Sequence, residues 1–302
     1  MTVTVTLTGI QLQKEISVCR GESATLTATL VPSDATADIT WESSDETIVT
    51  VSKGELTGVA VGTATVTAKA GSVKAECAVT ILPPKGAVDM GMELTREDGT
   101  TYKLYWAECN LGAEKPEDYG DYYAWGEVEP SYSSQDPLTW KDGKTGYDWA
   151  SYKWCNSNYE KLTKYCTADE TSYWDGEGSP DGKTVLDPED DAARVNLGGT
   201  WRMPTDAEWT ELRTECTWTW TTQNGVNGRL VTGKNGNSIF LPAAGNLLST
   251  GLFDAGSYGD YWSFSLDPDE PAIALNVYFY SDDVCGSTGT RTNGYSIRPV
   301  TE

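Results

Sequence analysis

The chain has no histidine among its 302 residues, which removes imidazole from any scheme of catalysis or metal binding. Ser-His and Cys-His nucleophiles are excluded, as are zinc and copper sites of the usual kind. Seven cysteines remain, an odd number with no C-x-x-C spacing. Cys19 and Cys77 are the one pair in the first segment that a bridge could join, whereas Cys109, Cys155, Cys166, Cys216 and Cys285 stand apart. What the chain has in excess is carboxylate, with 45 Asp and Glu against 22 Lys and Arg. Asp267-Pro268-Asp269-Glu270 and Asp282-Asp283 have the ligand chemistry for a hard cation, but clustered acids read first as solvated loops. A glycan hydrolase needs only two carboxylates. Nothing in the order of residues sets two of them across one cleft.

From Gly245 to Val300 two kinds of residue interleave. Gly256, Gly259, Trp262, Ser263, Ser265, Gly294, Arg298 and Pro299 make a small-residue, Trp and Arg set. Between them stand Tyr258, Asp260, Phe264, Leu266, Asp267, Asp269, Tyr278, Tyr280, Asp282, Asp283, Thr292 and Tyr295, without the alternation of a core strand. Tyrosines offer broad amphipathic contact and aspartates offer hydrogen bonds, so this second set reads as a ligand-binding surface. The reading assigns no catalytic residue, no metal ligand and no cofactor.

Such a surface needs a scaffold, and composition divides the chain in two. Residues 1–82 have Trp41 as their only aromatic, while the rest holds the other tryptophans, all 16 Tyr and all 4 Phe. The first segment carries 5 basic and 9 acidic residues, which leaves most of the net charge of −23 on the second. That field repels nucleic acid and anionic membranes. Pro83-Pro84-Lys85-Gly86 begins a stiff linker, placed at 83–88. No apolar run approaches 18 residues, so no transmembrane segment is expected. Met1-Thr2-Val3-Thr4-Val5 has neither a basic n-region nor a continuous apolar h-region, so no signal peptide is visible.

The first segment alternates with period two, as in Thr63-Ala64-Thr65-Val66-Thr67-Ala68, with turn signals about every ten residues. That spacing predicts an all-β sandwich over 1–82, with Trp41 as its core plug. The second segment, 89–302, predicts α+β. Asp187-Pro188 predicts the N-terminus of one helix, with Asp187 as cap. Thr205-Asp206-Ala207-Glu208 is a capping box for another that runs to about Thr214, with Trp209, Leu212 and Arg213 on one face. Strand-like pieces stand at Lys103–Ala107, Gly228–Val231, Ser238–Leu241, Tyr261–Ser263 and Ile273–Val277.

Two resemblances sharpen this. "VPSDATADITWESSDETIVTVSKGELTGVAVGTATVTAKA" resembles a bacterial Ig-like group 2 domain, with Pro32, Trp41, Ser43, Ser44, Gly54, Thr57, Gly58, Gly62 and Ala64 at the matching positions. It implies an extracellular spacer or a modest adhesive module. "NLGAEKPEDYGDYYAWGE", "DAARVNLGGTWRMPTDAEWTEL", "NSIFLPAAGN", "GDYWSFS" and "NGYSIRPV" resemble the Fibrobacter-type major paralogous domain, a branch of the C-type-lectin-like fold. On that resemblance Trp201, Trp209 and Trp262 are core, and Arg202 and Arg298 pair with carboxylates or loop carbonyls. The fold class is then an all-β Ig-like sandwich followed by an α+β C-type-lectin-like domain. Formylglycine-generating enzymes share that fold but need two close cysteines near the C-terminus, and only Cys285 stands there. The calcium motifs of sugar-binding C-type lectins, E-P-N or Q-P-D and W-N-D, are absent.

The tail also resembles the variable proteins of diversity-generating retroelements, in which mutated adenines vary selected codons. Tyr261-Trp262-Ser263-Phe264-Ser265, Ala274, Phe279, Ser281, Val284, Arg291, Gly294 and Ser296 to Val300 follow their constant pattern. The whole implies a non-catalytic surface or virion protein that binds a protein or glycan on a cell surface. The alternatives are a tip subunit of a pilus or phage fibre and, further off, a carboxylate-dependent glycan hydrolase.

Overall fold

The computed structural model describes residues 6–96, 98–130, 146–167 and 169–302, and the backbone of 132–133 and 139–140. Met1 to Val5, where no leader is legible, lie outside the described residues. The chain forms two compact units, Met1–Lys85 and Gly86–Glu302. The stretch expected as a linker is therefore shorter than 83–88, because a strand already starts at Ala87.

The first unit is built from β1 (Gly9–Gln11), β2 (Glu15–Cys19), β3 (Ser23–Thr25), β4 (Thr29–Val31), β5 (Thr40–Ser43), β6 (Val49–Ser52), β7 (Glu55–Gly58), β8 (Gly62–Ala70) and β9 (Val73–Leu82). One sheet has the order β2-β9-β8-β5, another β3-β7-β6, and β1 pairs with β4. The period-two pattern sends Ala64, Val66, Ala68 and Ala70 of β8 inward, beside Cys77, Val79 and Ile81 of β9. Val18, Leu26, Val49 and Leu56 complete the core. Trp41 packs against it half-buried, more a lid than the expected plug. Its ring lies over Gly54, whose φ is +86° and where a Cβ would stand 2.5 Å from the Leu26 carbonyl oxygen. Only glycine fits there. Cys19 and Cys77 are free thiols. They do lie on β2 and β9, but Cys19 pairs with Leu82, five residues beyond Cys77. At the rise of a strand that is about 16 Å, beyond the reach of a disulfide.

The second unit contains β10 (Ala87–Thr95), β11 (Thr101–Ala107), β12 (Asp121–Tyr122), β13 (Tyr132–Ser133), β14 (Thr139–Trp140), α1 (Ala192–Leu197), α2 (Asp206–Glu215), β15 (Thr217–Gln223), β16 (Val226–Thr232), β17 (Ser238–Pro242), β18 (Asn246–Leu248), β19 (Gly251–Phe253), β20 (Gly259–Leu266), β21 (Ile273–Phe279), β22 (Val284–Thr290) and β23 (Val300–Thr301). Three antiparallel sheets, β10-β11-β23, β15-β16-β17 and β20-β21-β22, meet around α2. Trp209 and Leu212 of α2 enter the core between Leu104 and Trp106 of β11, Val231 of β16, Leu241 of β17 and Tyr261 and Phe279 of the third sheet. A second core gathers Tyr123, Trp125, Tyr165, Met203, Trp262 and Ile297.

The capping box at Thr205 and Glu208 is present, and Glu208 also takes a two-armed ion pair from Arg202, 2.5 and 2.7 Å. The other expected helix is displaced. Pro188–Asp190 is a single 3-10 turn, and the cap of α1 is Asp191 rather than Asp187. Asp191 wins because its carboxylate also accepts from the Met203 backbone, which ties the helix start to the next segment. Trp201 is half-buried rather than core.

Arg298 joins the sheets from inside. It is fully buried, and its guanidinium donates to the carbonyls of Ala107, Glu108 and Phe240 and to Asn110 Oδ1, at 2.6–3.0 Å. Arg298→Met should therefore lower the stability of the second unit by at least about 3 kcal/mol, because it leaves buried acceptors unpaired. Denaturant unfolding followed by tryptophan fluorescence measures this, and an unchanged midpoint would rule out the pinning role.

Candidate ligand-binding face

The sheet β20-β21-β22 carries the candidate face. Its register pairs Asp260 with Tyr278 and Trp262 with Asn276, so these four side chains share one side of the sheet. Tyr278 pairs onward with Cys285, and Asn276 with Ser287. Tyr258 stands just before β20 and Tyr280 just after β21, at the same end of the sheet. The three tyrosine rings gather there. Tyr278 stacks on Tyr258 at 6.2 Å and on Tyr280 at 5.9 Å, and Tyr258 meets Tyr280 at 5.5 Å. Tyr258 is 37% exposed, and Asp282 and Asp283 flank the cluster in the exposed turn that follows.

Arg229 of β16 holds that turn. Its guanidinium is buried and donates to the carbonyls of Tyr280 (2.7 and 3.1 Å), Asp283 (3.2 Å) and Trp218 (3.2 Å). Asp283 closes the turn by accepting from the Val284 backbone and the Cys285 thiol. Those bonds hold its carboxyl below the usual range, the thiol contact being the larger cause.

Beneath the tyrosines the face turns polar. Asp260 is only 8% exposed, and its carboxylate accepts from Asn246 Nδ2 at 2.9 Å and Asn276 Nδ2 at 3.4 Å. Burial pushes its carboxyl up to about 6, with the charge of Asp254 acting in the same direction and the Asn246 bond against it.

The structure gathers Tyr258, Tyr278, Tyr280, Asp282 and Asp283 into one patch and corrects other expected contact positions. Leu266 (2% exposed) lies in the second core, and Tyr295 (7%) covers Trp262 with ring centroids 4.2 Å apart. Thr292 is buried, and Asp260 belongs to the floor rather than the rim. Phe264 is half-buried in an irregular stretch between Trp262 and Leu266, packed on the second core. Asp267 and Asp269 lie past the opposite end of β20, about 23 Å away at the rise of a strand. There Asp267 bonds the backbone of Asp269 and Glu270 in its own turn. Among the described residues no group of three or more His, Cys, Asp or Glu is placed to hold a metal ion.

Sequence reasoning missed Arg229, Asn246 and Asn276. Arg229 had a signal, a lone charge inside an apolar strand. Asn276 had one too, since it stands two residues before Tyr278 and therefore on the same face. Asn246 had none, because only the packing of β18 brings it to Asp260. Arg291, noted in the constant pattern, is buried and donates to the carbonyls of Lys164, Tyr165 and Pro271 and to the Tyr152 hydroxyl, all near 3 Å. It packs among the rings of Trp125, Tyr152 and Tyr165, which serve in place of a carboxylate partner.

The sheets of the first unit define an Ig-like β-sandwich. More narrowly, residues 3–81 match the bacterial Ig-like domain (group 2). Two curated relatives match parts of the chain. An alpha-L-arabinofuranosidase of Bifidobacterium longum subsp. longum is 42% identical over 85 residues, 27% of this chain and 8% of that protein. A lacto-N-biosidase of Bifidobacterium bifidum is 50% identical over 54 residues, 18% of this chain and 5% of that protein. The chain thus spans under a tenth of either relative. Among solved structures, domains 4 and 5 of the S-layer protein SbsC are 24% identical, with 26% of this chain and 53% of that one covered and a TM-score of 0.23. SbsC domains 1–6 are 12% identical over 94% of this chain and 26% of that one, with a TM-score of 0.25. Neither score reaches a shared fold. No helix among the described residues is long and apolar enough to cross a membrane.

Asp260 gives a pH prediction. Its folded value lies above the unfolded one, near 4, so the folded state holds the extra proton between them and stability falls as pH rises. The loss begins near pH 4, is complete above about 6, and amounts to about 3 kcal/mol. Asp260→Asn should remove this component and be the more stable chain at neutral pH. Equal slopes for the two chains in urea unfolding across that range would contradict it.

Proposed function

We propose that the chain is a non-catalytic extracellular or surface binding protein. In this reading the Ig-like unit is a spacer, and the second unit binds a glycan or protein through Tyr258, Tyr278 and Tyr280, with Asp282 and Asp283 beside them. The observation that carries it is the tyrosine cluster, partly exposed at one end of a sheet and beside a turn pinned from within by Arg229. Rings held rigidly lose little freedom on binding, and tyrosine serves both sugar faces and protein anchors. An Ig-like domain fits a surface or adhesion role. The names of the two Bifidobacterium relatives favour a glycan setting for the ligand.

We read the second unit as C-type-lectin-like and its tail as retroelement-diversified. What supports this is that Trp262, Arg291 and Arg298 of the constant pattern are buried and that five of the varied positions, Tyr258, Tyr278, Tyr280, Asp282 and Asp283, cluster at one end of one sheet, whereas Asp260, Leu266, Thr292 and Tyr295 are buried and stand against it. In a retroelement, a near-copy of this coding stretch with Asn codons at those positions stands beside a reverse transcriptase gene.

The test is the triple variant Tyr258→Ala, Tyr278→Ala and Tyr280→Ala on a glycan array and on intact bacterial cells. Binding should fall at least about tenfold, the equivalent of about 1.4 kcal/mol, while the thermal midpoint stays within a few degrees. Undiminished binding, or a collapse of the midpoint, would refute the assignment.

A further inference from the structure

The second unit carries another row of aromatic rings at its surface, apart from Tyr258, Tyr278 and Tyr280. The ring of Tyr159 lies 6.2 Å from that of Trp149 and 6.1 Å from that of Tyr173, tilted by 55° and 51°. Trp149 and Tyr173 are half-buried, and Tyr159 between them is 42% exposed. Other groups hold the backbone beneath. Leu162, fully buried, gives its N–H to the Tyr173 carbonyl at 2.7 Å and accepts from the Asp175 N–H at 2.8 Å. The Cys155 thiol donates to the Trp149 carbonyl at 3.0 Å, and the Lys161 N–H closes the turn that presents Tyr159 by bonding the Asn158 carbonyl, also at 3.0 Å. Tyr159 itself reaches no core: its hydroxyl donates to the exposed carboxylate of its neighbour Glu160 at 3.0 Å. A large ring left in water on a fixed turn is the kind of exposure that marks a contact surface. Arg291 bonds the carbonyls of both Tyr165 and Pro271, so this segment lies beside the turn between β20 and β21. Glu160 raises the Tyr159 phenol above its ordinary value, and Glu270 of that same turn adds to the effect. The row thus stands at the end of β20 opposite to Tyr258.

We infer that Trp149, Tyr159 and Tyr173 form a second binding face, which takes a short neutral oligosaccharide with one sugar unit to each ring. A sugar ring presents a face of C–H bonds and an edge of hydroxyls, and the row answers both. Aromatic faces stack on the C–H side. The hydroxyl edge needs polar partners at the margin, and Glu160 and Asp175 supply acceptors there, with Asn156 donating to Asp175 at 2.8 Å. Steps of 6.1–6.2 Å between centroids are close to the length of one sugar unit, so consecutive units meet consecutive rings. Tilts of 51° and 55° suit a chain that turns from unit to unit rather than a flat ribbon. Charge narrows the class further. The exposed carboxylates of Glu160, Asp175 and Glu270 repel uronates, sulfated sugars and nucleic acid. A protein anchor is bound best in a desolvated apolar pocket, whereas these rings stand among carboxylates and an amide. The face is separate from the one proposed above and does not depend on it.

The test is affinity electrophoresis of the full chain through gels that hold galactomannan, mixed-linkage glucan or arabinoxylan, with polygalacturonate as the anionic comparison. At least one neutral polysaccharide should retard the chain, and polygalacturonate should not. Tyr159→Ala with Tyr173→Ala should weaken that retardation at least about tenfold, while Tyr159→Phe should keep it, because the ring stacks and the hydroxyl does not. Tyr159→Ala alone changes an exposed side chain, so its thermal midpoint should stay within a few degrees while most of the retardation is lost. The triple variant Tyr258→Ala, Tyr278→Ala and Tyr280→Ala should keep the retardation, which separates this face from the first. Retardation by none of the neutral polysaccharides, equal retardation by polygalacturonate, or retardation lost in the triple variant but unchanged in the Tyr159 variants would overturn the face.

Discussion

The second unit depends on a charge buried without a carboxylate. Arg298 sits three residues before the end of the sequence's last strand and reaches four acceptors, on the end of β11, on the residues just after it and on β17. Removing a guanidinium from water is costly, and carbonyl dipoles offset the cost only if all of them are in place together. The burial that makes the arrangement demanding also pulls the proton affinity of Arg298 below its ordinary value. Segments far apart in sequence therefore have to arrive in one geometry. Arg291 and Arg229 repeat the device at smaller scale, each gathering loop carbonyls in place of an acid. The three of them hold irregular chain that regular hydrogen-bond ladders cannot.

This explains how the candidate face combines a varied surface with a fixed shape. The backbone under Tyr278 and Tyr280 is set by the ladder to β20 and β22, and their turn is set by Arg229. None of those contacts uses the tyrosine side chains. Replacing a ring there changes what the face meets without changing what holds it. Tyr295 and Leu266 differ, because each fills core space against Trp262 or its neighbours. The same sheet thus has positions free to vary and positions that are not, and exposure separates them.

The first unit was legible because its strands are half-buried and alternate with period two, and residue type tracks facing directly in such strands. The capping box of α2 was legible for a similar reason, being a local bond pattern. The cap of α1 was not, since Asp187 and Asp191 are equally good locally and the choice falls to Met203, twelve residues on from Asp191. β15 and β22 went unread: one alternates Trp with Thr and the other is mostly small residues, so neither gives an apolar run. Asp260 among tyrosines looked like surface. Its burial is decided by Asn246 and Tyr295, which approach from elsewhere in the chain.

One detail of the Ig-like unit bears on load. β2 and β9 run parallel over five paired residues, Glu15 with Ala78 through Cys19 with Leu82. The chain therefore enters β2 at one end of this ladder and leaves β9 at the other. A pull along the strands between those ends slides the two past each other, so the ladder's hydrogen bonds are strained simultaneously. An antiparallel pair pulled from one end opens bond by bond like a zip. A domain pulled through a parallel pair resists as a unit, with no gain in equilibrium stability.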